Sequence, residues 1–161
     1  MFIRAVRDIE FWRERLRDLK DPIKAIIDNF DWEPVDKFHL SAIRKHIQPH
    51  ETVLDIGCGP GRTARWFTPE QYTGIDFVPE FIEEAKKRNP EHKFIIGDFL
   101  GELPFKENEF DWGLLISVKG TLFNGDPEDP TNTWRPIEPK LKKICGKLLV
   151  LEYSRFFEEI I

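Results

Sequence analysis

The stretch VLDIGCGPGRT, Val53 to Thr63, sets three glycines at alternate positions directly after an apolar run that reads as a buried strand. A single glycine would mark a turn. Gly57, Gly59 and Gly61 in alternation, with Asp55 just upstream, describe a loop whose backbone can take positive φ and leave a ligand room to touch the main chain. In an open parallel sheet, ligands bind beyond the carboxyl ends of the strands, where the strand order reverses. The first strand delivers Gly57, Cys58, Gly59, Pro60 and Gly61 to that place. A tight strand-to-helix turn with no ligand is the alternative that the glycines alone leave open.

Downstream, short apolar runs alternate with helical or turn segments. Thr52 to Ile56, Tyr72 to Ile75, Lys93 to Ile96, Asp111 to Ile116 and Lys147 to Tyr153 read as strands. Their hydrophobicity is continuous rather than alternating, which suits a sheet covered on both faces. Helices are expected at Gly61 to Phe67, Pro79 to Arg88, with its proline in the tolerated first turn, and about Glu138 to Ile144. The order predicts an α/β fold, a doubly wound and mainly parallel sheet of about five strands. Upstream, Trp12, Leu16 and Leu19, then Ile23, Ile26, Ile27 and Phe30, then Phe38, Ile43 and Ile47 repeat at helical spacing, giving N-terminal helices that end near Pro49. The chain of 161 residues fits one domain, with 1–50 as a helical cap, 51–153 as a ligand-binding core and 154–161 as a tail. The segment GDPEDPTNTWRP is a candidate substrate loop or lid, with a connection of no role as the alternative.

A formal net charge of −5, with acids and bases interspersed, provides no broad basic field for a polyphosphate backbone, so nucleic acid is not the expected partner. The charged N-terminus lacks a continuous apolar segment, which argues for a cytoplasmic protein with no membrane partner. Cys58 and Cys145 show no metal-ligand spacing and read as reduced residues; no metal is expected.

Two more acids end strands. Asp76 closes YTGID, 19 residues beyond Gly57, where a carboxylate can accept from both hydroxyls of a ribose. Asp98 closes KFIIGD and can accept from an exocyclic amine. Either acid alone would serve equally as a helix cap or turn residue. Taken together, LDIGCGPG, GIDF, GDF and FDWGLLISV resemble the motifs of the class I S-adenosylmethionine-dependent methyltransferases, over roughly Thr52 to Tyr153. The resemblance implies a Rossmann-like core in which Gly57 and Gly59 approach the methionine and ribose portions of S-adenosylmethionine. It further implies that Asp76 binds the ribose, Phe77 packs on adenine, and Asp98 and Phe99 recognise the adenine edge. The backbone near Ser117 would hold the methionine end, and Asp55 would orient the glycine loop or the cofactor's ammonium group.

A nicotinamide dehydrogenase is the rival reading. Its loop runs Gly-x-Gly-x-x-Gly, whereas here the third glycine comes one place earlier, Pro60 removes an amide donor, and Asp55 adds negative charge where a pyrophosphate would sit. Methyl transfer to a small-molecule acceptor needs alignment more than a base. None is evident: His39, His46 and His50 read as a solvated helical face and its end, and His92 as a turn residue. Phe11 and Trp12 are candidate lid or substrate walls, or simply pack their helix on the sheet. After the fourth strand ISVKGTLF replaces the Pro-Pro-aromatic motif of base-amine methyltransferases, which argues against that activity. The resemblance also implies a short form, since family members usually continue with a helix and an antiparallel strand pair where this chain has a brief tail. A cofactor-binding protein without turnover is therefore a second hypothesis. An uncovered fifth-strand edge would be closed by the tail RFFEEII or by a second chain, and a homodimer is the expected outcome.

Overall fold

The structure is a computed structural model that describes residues 9–22, 32–99, 101–118, 134–152 and 157–161. Among these, the elements in chain order are α1 (Ile9–Leu19), α2 (Trp32–His46), β1 (Val53–Ile56), a 3-10 turn (Ala64–Trp66), β2 (Tyr72–Asp76), α3 (Pro79–Arg88), β3 (Lys93–Ile96), β4 (Phe110–Ile116), α4 (Trp134–Ile144), β5 (Cys145–Glu152) and β6 (Phe157–Ile160). The expected helix over Ile23 to Phe30 and the long loop before Trp134 lie outside the described residues. No helix among the described residues is long and apolar enough to cross a membrane.

The sheet has strand order β3-β2-β1-β4-β5-β6. Pairings from β3 through β5 are parallel, and β6 runs antiparallel to β5. Winding outward from β1 to β3 and then from β4 to β5 puts the reversal of strand order between β1 and β4, so the loop after β1 opens at the switch point. Successive side chains on a strand point to opposite faces. Val53, Trp112, Leu114, Leu149 and Leu151 therefore meet Ala42 and Ile43 of α2, Ile47 just after it, and Ile82 and Ala85 of α3 on one face. Leu54, Ile56, Leu115, Leu148 and Val150 meet Ile137, Leu141 and Ile144 of α4 on the other. Both faces are covered, which is why the strands read as unbroken apolar runs.

The structure corrects three expectations. Gly61 to Phe67 is not a helix: only Ala64–Trp66 makes a 3-10 turn, Gly61 sits at φ +75°, and the chain is already extended at Phe67. His39 does not belong to a solvated face, since it is 1% exposed on the side of α2 that packs inward. The edge of β5 is not open to a second chain. Residues Leu149 to Glu152 pair with Phe157–Ile160, so the tail satisfies the ladder that a dimer would have covered. Lys45 donates to Glu158 at 3.0 Å and His46 pairs with the same carboxylate, which ties β6 to the end of α2.

Candidate cofactor site

The glycine loop is shaped by its own protein before any ligand is considered. Gly57, Gly59 and Gly61 sit at φ +72°, +53° and +75°, a region that side chains disfavour. A Cβ at Gly57 would stand 2.7 Å from Cγ2 of Val118, just past the end of β4. One at Gly61 would stand 2.9 Å from both Cβ of Ala85 and Nδ2 of Asn89, on and just after α3. The first and third glycines are thus required by the closeness of two neighbouring segments. The Asn89 amide also donates to the Gly61 carbonyl at 3.0 Å, and the amides of Gly57 and Cys58 both donate to the Ile75 carbonyl at 2.9 and 3.0 Å. Cys58 is buried, and its thiol is pushed well up by burial and then by the nearby Asp76 and Asp55 charges.

The two strand-end acids of β1 and β2 lie under and beside this loop. Asp55, 2% exposed, accepts from the Tyr72 hydroxyl at 2.6 Å and from the Thr63 hydroxyl, so it holds the far end of the loop. Burial pushes its pKa up, while those two donors and the charge of Arg62 pull it down. Asp76, 5% exposed, accepts from the Gly59 amide through one oxygen and from the Val78 amide through the other, both at 2.9 Å. Burial raises its pKa to about 6 against the pull of those amides. A carboxylate that is buried, bonded to two backbone amides and still acidic enough to ionise at neutral pH is a strong acceptor at the end of β2.

Around these acids stand the other predicted residues. Phe77, half-buried, packs with Trp12 and Leu16 of α1 against Val78 and Phe81. The Trp12 and Phe81 rings lie 5.7 Å apart, the Phe11 and Trp12 rings 5.1 Å, and Arg13 donates to Glu80 at 2.8 Å. Trp12 thus docks α1 onto the start of α3, which also places it beside Phe77. Phe99 is buried, its ring near the space a Gly57 side chain would need, and Asp98 precedes it at the end of the third-strand segment. Ser117 takes φ +57°, uncommon for a residue with a side chain, while its amide donates to the Leu151 carbonyl at 2.7 Å. Among the described residues no group of three or more His, Cys, Asp or Glu could hold a metal ion.

Sequence reasoning missed a buried cluster on the other side of the loop. Arg62 reaches from the loop to α2, where it donates to Asp36 and, at 3.3 Å, to Nδ1 of His39. A guanidinium has no acceptor, so the His39 proton sits on Nε2, which has no hydrogen-bond partner among the described residues. Burial and then the Arg62 charge lower the His39 pKa to about 3. Asp36 and His39, three apart on a helix, and an arginine next to the last glycine were the only signals available.

The methyltransferase domain family matches residues 53–135, from β1 into α4. The chain belongs to this methyltransferase domain family. It is similar to the 18S rRNA (guanine-N(7))-methyltransferase of Bos taurus, at 37% identity over 76 residues, covering 46% of this chain and 27% of that protein. It is also similar to the sterol 24-C-methyltransferase of Schizosaccharomyces pombe, at 38% over 91 residues, covering 50% of this chain and 23% of that protein. The chain thus spans about a quarter of the length of these two curated relatives. In fold it is similar to the N-methyltransferase NodS from Bradyrhizobium japonicum in complex with S-adenosyl-L-homocysteine, with a TM-score of 0.64, 20% identity, and 87% and 71% of the two chains covered. The molecule bound in the NodS structure, S-adenosyl-L-homocysteine, is S-adenosylmethionine without its methyl group. The residues present fit S-adenosylmethionine: a buried carboxylate with lone pairs suited to ribose hydroxyls, bonded to the amide of a glycine loop in left-handed conformation at the switch point.

Proposed function

We propose that this methyltransferase domain is an S-adenosylmethionine-dependent methyltransferase that transfers a methyl group directly to a small-molecule acceptor. The observation that carries the reading is the Asp76 carboxylate, buried at the end of β2 and bonded to the Gly59 amide of the loop at the switch point. In this reading Gly57 and Gly59 lie against the methionine and ribose portions. Asp76 takes the ribose hydroxyls, Phe77 packs on adenine, and Asp98 and Phe99 read its edge. The backbone at Ser117 holds the methionine end, Asp55, Cys58 and Gly61 keep the loop in shape, and Phe11 and Trp12 extend the apolar wall beside Phe77. Residues 51–153 are the cofactor-binding core of a single domain, with 1–50 as its cap and 154–161 as its tail. The two buried free cysteines suit the reducing cytoplasm.

When bound, the cofactor supplies a methyl carbon already activated by its sulfonium. The chain then has to hold an acceptor ~3 Å from that carbon and keep water away. Three of the four histidines are engaged elsewhere: His39 is held neutral in the core, His46 is paired with Glu158, and Nε2 of His92 lies 3.0 Å from the Phe67 carbonyl. The small-molecule reading is supported by the acidic net charge and by similarity to a sterol enzyme. An RNA acceptor is the second reading, favoured by the similarity to the rRNA enzyme.

Calorimetry with S-adenosylmethionine, S-adenosylhomocysteine and NAD in parallel tests the cofactor site. Both sulfur ligands should bind, and NAD binding without either would overturn the reading. Tritiated methyl transfer to a panel of small acids, amines and sterols, with an rRNA fragment alongside, then separates the acceptor classes. Tight cofactor binding with no methylated product from any of them would favour a binding protein without turnover.

A further inference from the structure

The turn that carries Asp98 and Phe99 is clamped by a side chain from the far half of the sheet. Among the described residues it is closed by the bond from the Gly101 amide to the Asp98 carbonyl at 3.0 Å. Lys140 of α4 adds two more, donating from Nζ to the carbonyls of Phe99 and Gly101, both at 2.5 Å. Two carbonyl dipoles aimed at one point repel each other unless a cation sits between them, so the course of this turn depends on the ammonium. Burial lowers the Lys140 pKa, and the nearby Asp98 carboxylate raises it, which places that carboxylate within the field of the same charge. Phe99 is consequently fixed twice: its ring is buried against the Gly57 loop and its carbonyl is held by Lys140. The helix itself does not need these bonds. Ile137, Leu141 and Ile144 already anchor α4 in the core. What the bonds secure is the turn.

We propose that Lys140 is a positioning residue for base recognition, fixing the 98–101 turn so that Asp98 meets the exocyclic amine of an adenosyl cofactor. The inference rests on the assignment of Asp98 to the adenine edge made above. Lys140 lies outside the glycine loop and meets the turn through two backbone carbonyls and through its charge beside Asp98, so it acts on the selectivity of the site for its base.

The test is calorimetry with two ligands, S-adenosylhomocysteine and S-inosylhomocysteine, the second carrying a carbonyl oxygen where adenine has its amine. Wild type should prefer the adenosyl ligand. Lys140→Met should lose about tenfold in affinity for the adenosyl ligand and less than about threefold for the inosyl one, while Lys140→Arg should keep the wild-type ratio within about twofold. Asp98→Ala is the control for the underlying assignment and should collapse the ratio. If Asp98→Ala collapses it and Lys140→Met leaves it unchanged, or lowers both affinities equally, the role of Lys140 is refuted. If Asp98→Ala leaves the ratio intact, the adenine assignment fails and the base-recognition role with it. Circular dichroism checks each fold; should Lys140→Met not fold, Lys140→Gln is read by the same ratios.

Discussion

Asp76 should make cofactor affinity and protein stability respond to pH in opposite directions. Its folded pKa is raised from the ordinary 3.8 to about 6, chiefly by burial. For a raised group the associated stability is fully present below the unfolded pKa and is lost as pH rises through the folded one. Between pH 4 and 7 the ligand-free protein should therefore lose up to ~3 kcal/mol through this group. Ribose hydroxyls donate to the ionised carboxylate, so binding favours the charged form. Affinity for S-adenosylhomocysteine should then fall by up to ~10-fold per pH unit as pH drops below 6. Asp76→Asn separates the two effects. It removes the buried charge, which should flatten the stability difference, and it leaves one ribose hydroxyl or one loop amide without an acceptor. Loss of charge-assisted bonds worth ~1.5 to 3 kcal/mol each should weaken the ligand by ~10- to 100-fold at pH 7.5, with little pH dependence left. The loss should exceed that of Asp98→Ala. Urea denaturation and calorimetry from pH 5 to 8 on both proteins supply the measurements. Equal affinity at pH 5 and 8 in wild type, and equal affinity in Asp76→Asn, would refute the ribose assignment.

Gly57→Ala should cost ~2 to 4 kcal/mol, from the left-handed backbone and the 2.7 Å approach to Val118. Adding Val118→Ala should not make matters worse by the full cost of its own cavity, because the clash is relieved; additive losses in urea melts would argue against the contact. His39, with its pKa lowered to about 3, contributes stability above pH 6.5 that is lost as pH falls, because the unfolded histidine takes up a proton the buried one refuses. Wild type should lose up to ~2 kcal/mol by this route between pH 7 and 5, and His39→Phe markedly less. Removing residues 153–161 strips β6 from β5 and should give dimers or aggregates by light scattering, since an apolar ladder is laid bare. A monodisperse monomer from that truncation would show that β6 does not guard the edge.

The parallel strands were legible because both faces of the sheet are buried, so their apolar runs stand out with no competing period. The places of Asp55 and Asp76 were legible because a strand end followed by a turn fixes where a side chain goes. The glycines were legible as a loop, but their cause was only half visible. Val118 is 61 positions from Gly57, and Asn89 is 28 from Gly61, so no local pattern shows that two of the three are demanded by packing. The helix expected after Gly61 failed for a related reason: positive φ at Gly61 and anchoring of Arg62 to Asp36 pull the chain off a helical course. His39 was misjudged because a polar residue on an amphipathic helix says nothing of an arginine arriving from a distant loop. Lys140 carries no signal at all, since a lysine in a basic helix end looks solvated until its partners are placed.

The glycine loop is fastened by the Ile75 carbonyl, the Asp76 carboxylate, the Asn89 amide and the bulk of Val118, four attachments spread from residue 75 to residue 118. Such a loop has no reason to exist in a half-assembled chain. It takes its course only after β1, β2, α3 and β4 have come together, so the cofactor pocket must be among the last features to appear as the protein folds. A ligand that recognises the finished loop therefore recognises the whole sheet, and by mass action draws on every contact that made it. At a hundred times its dissociation constant it adds ~2.7 kcal/mol to the folded state. Variants crippled far from the pocket, at the β5–β6 seam for instance, should then be recoverable by excess cofactor product alone.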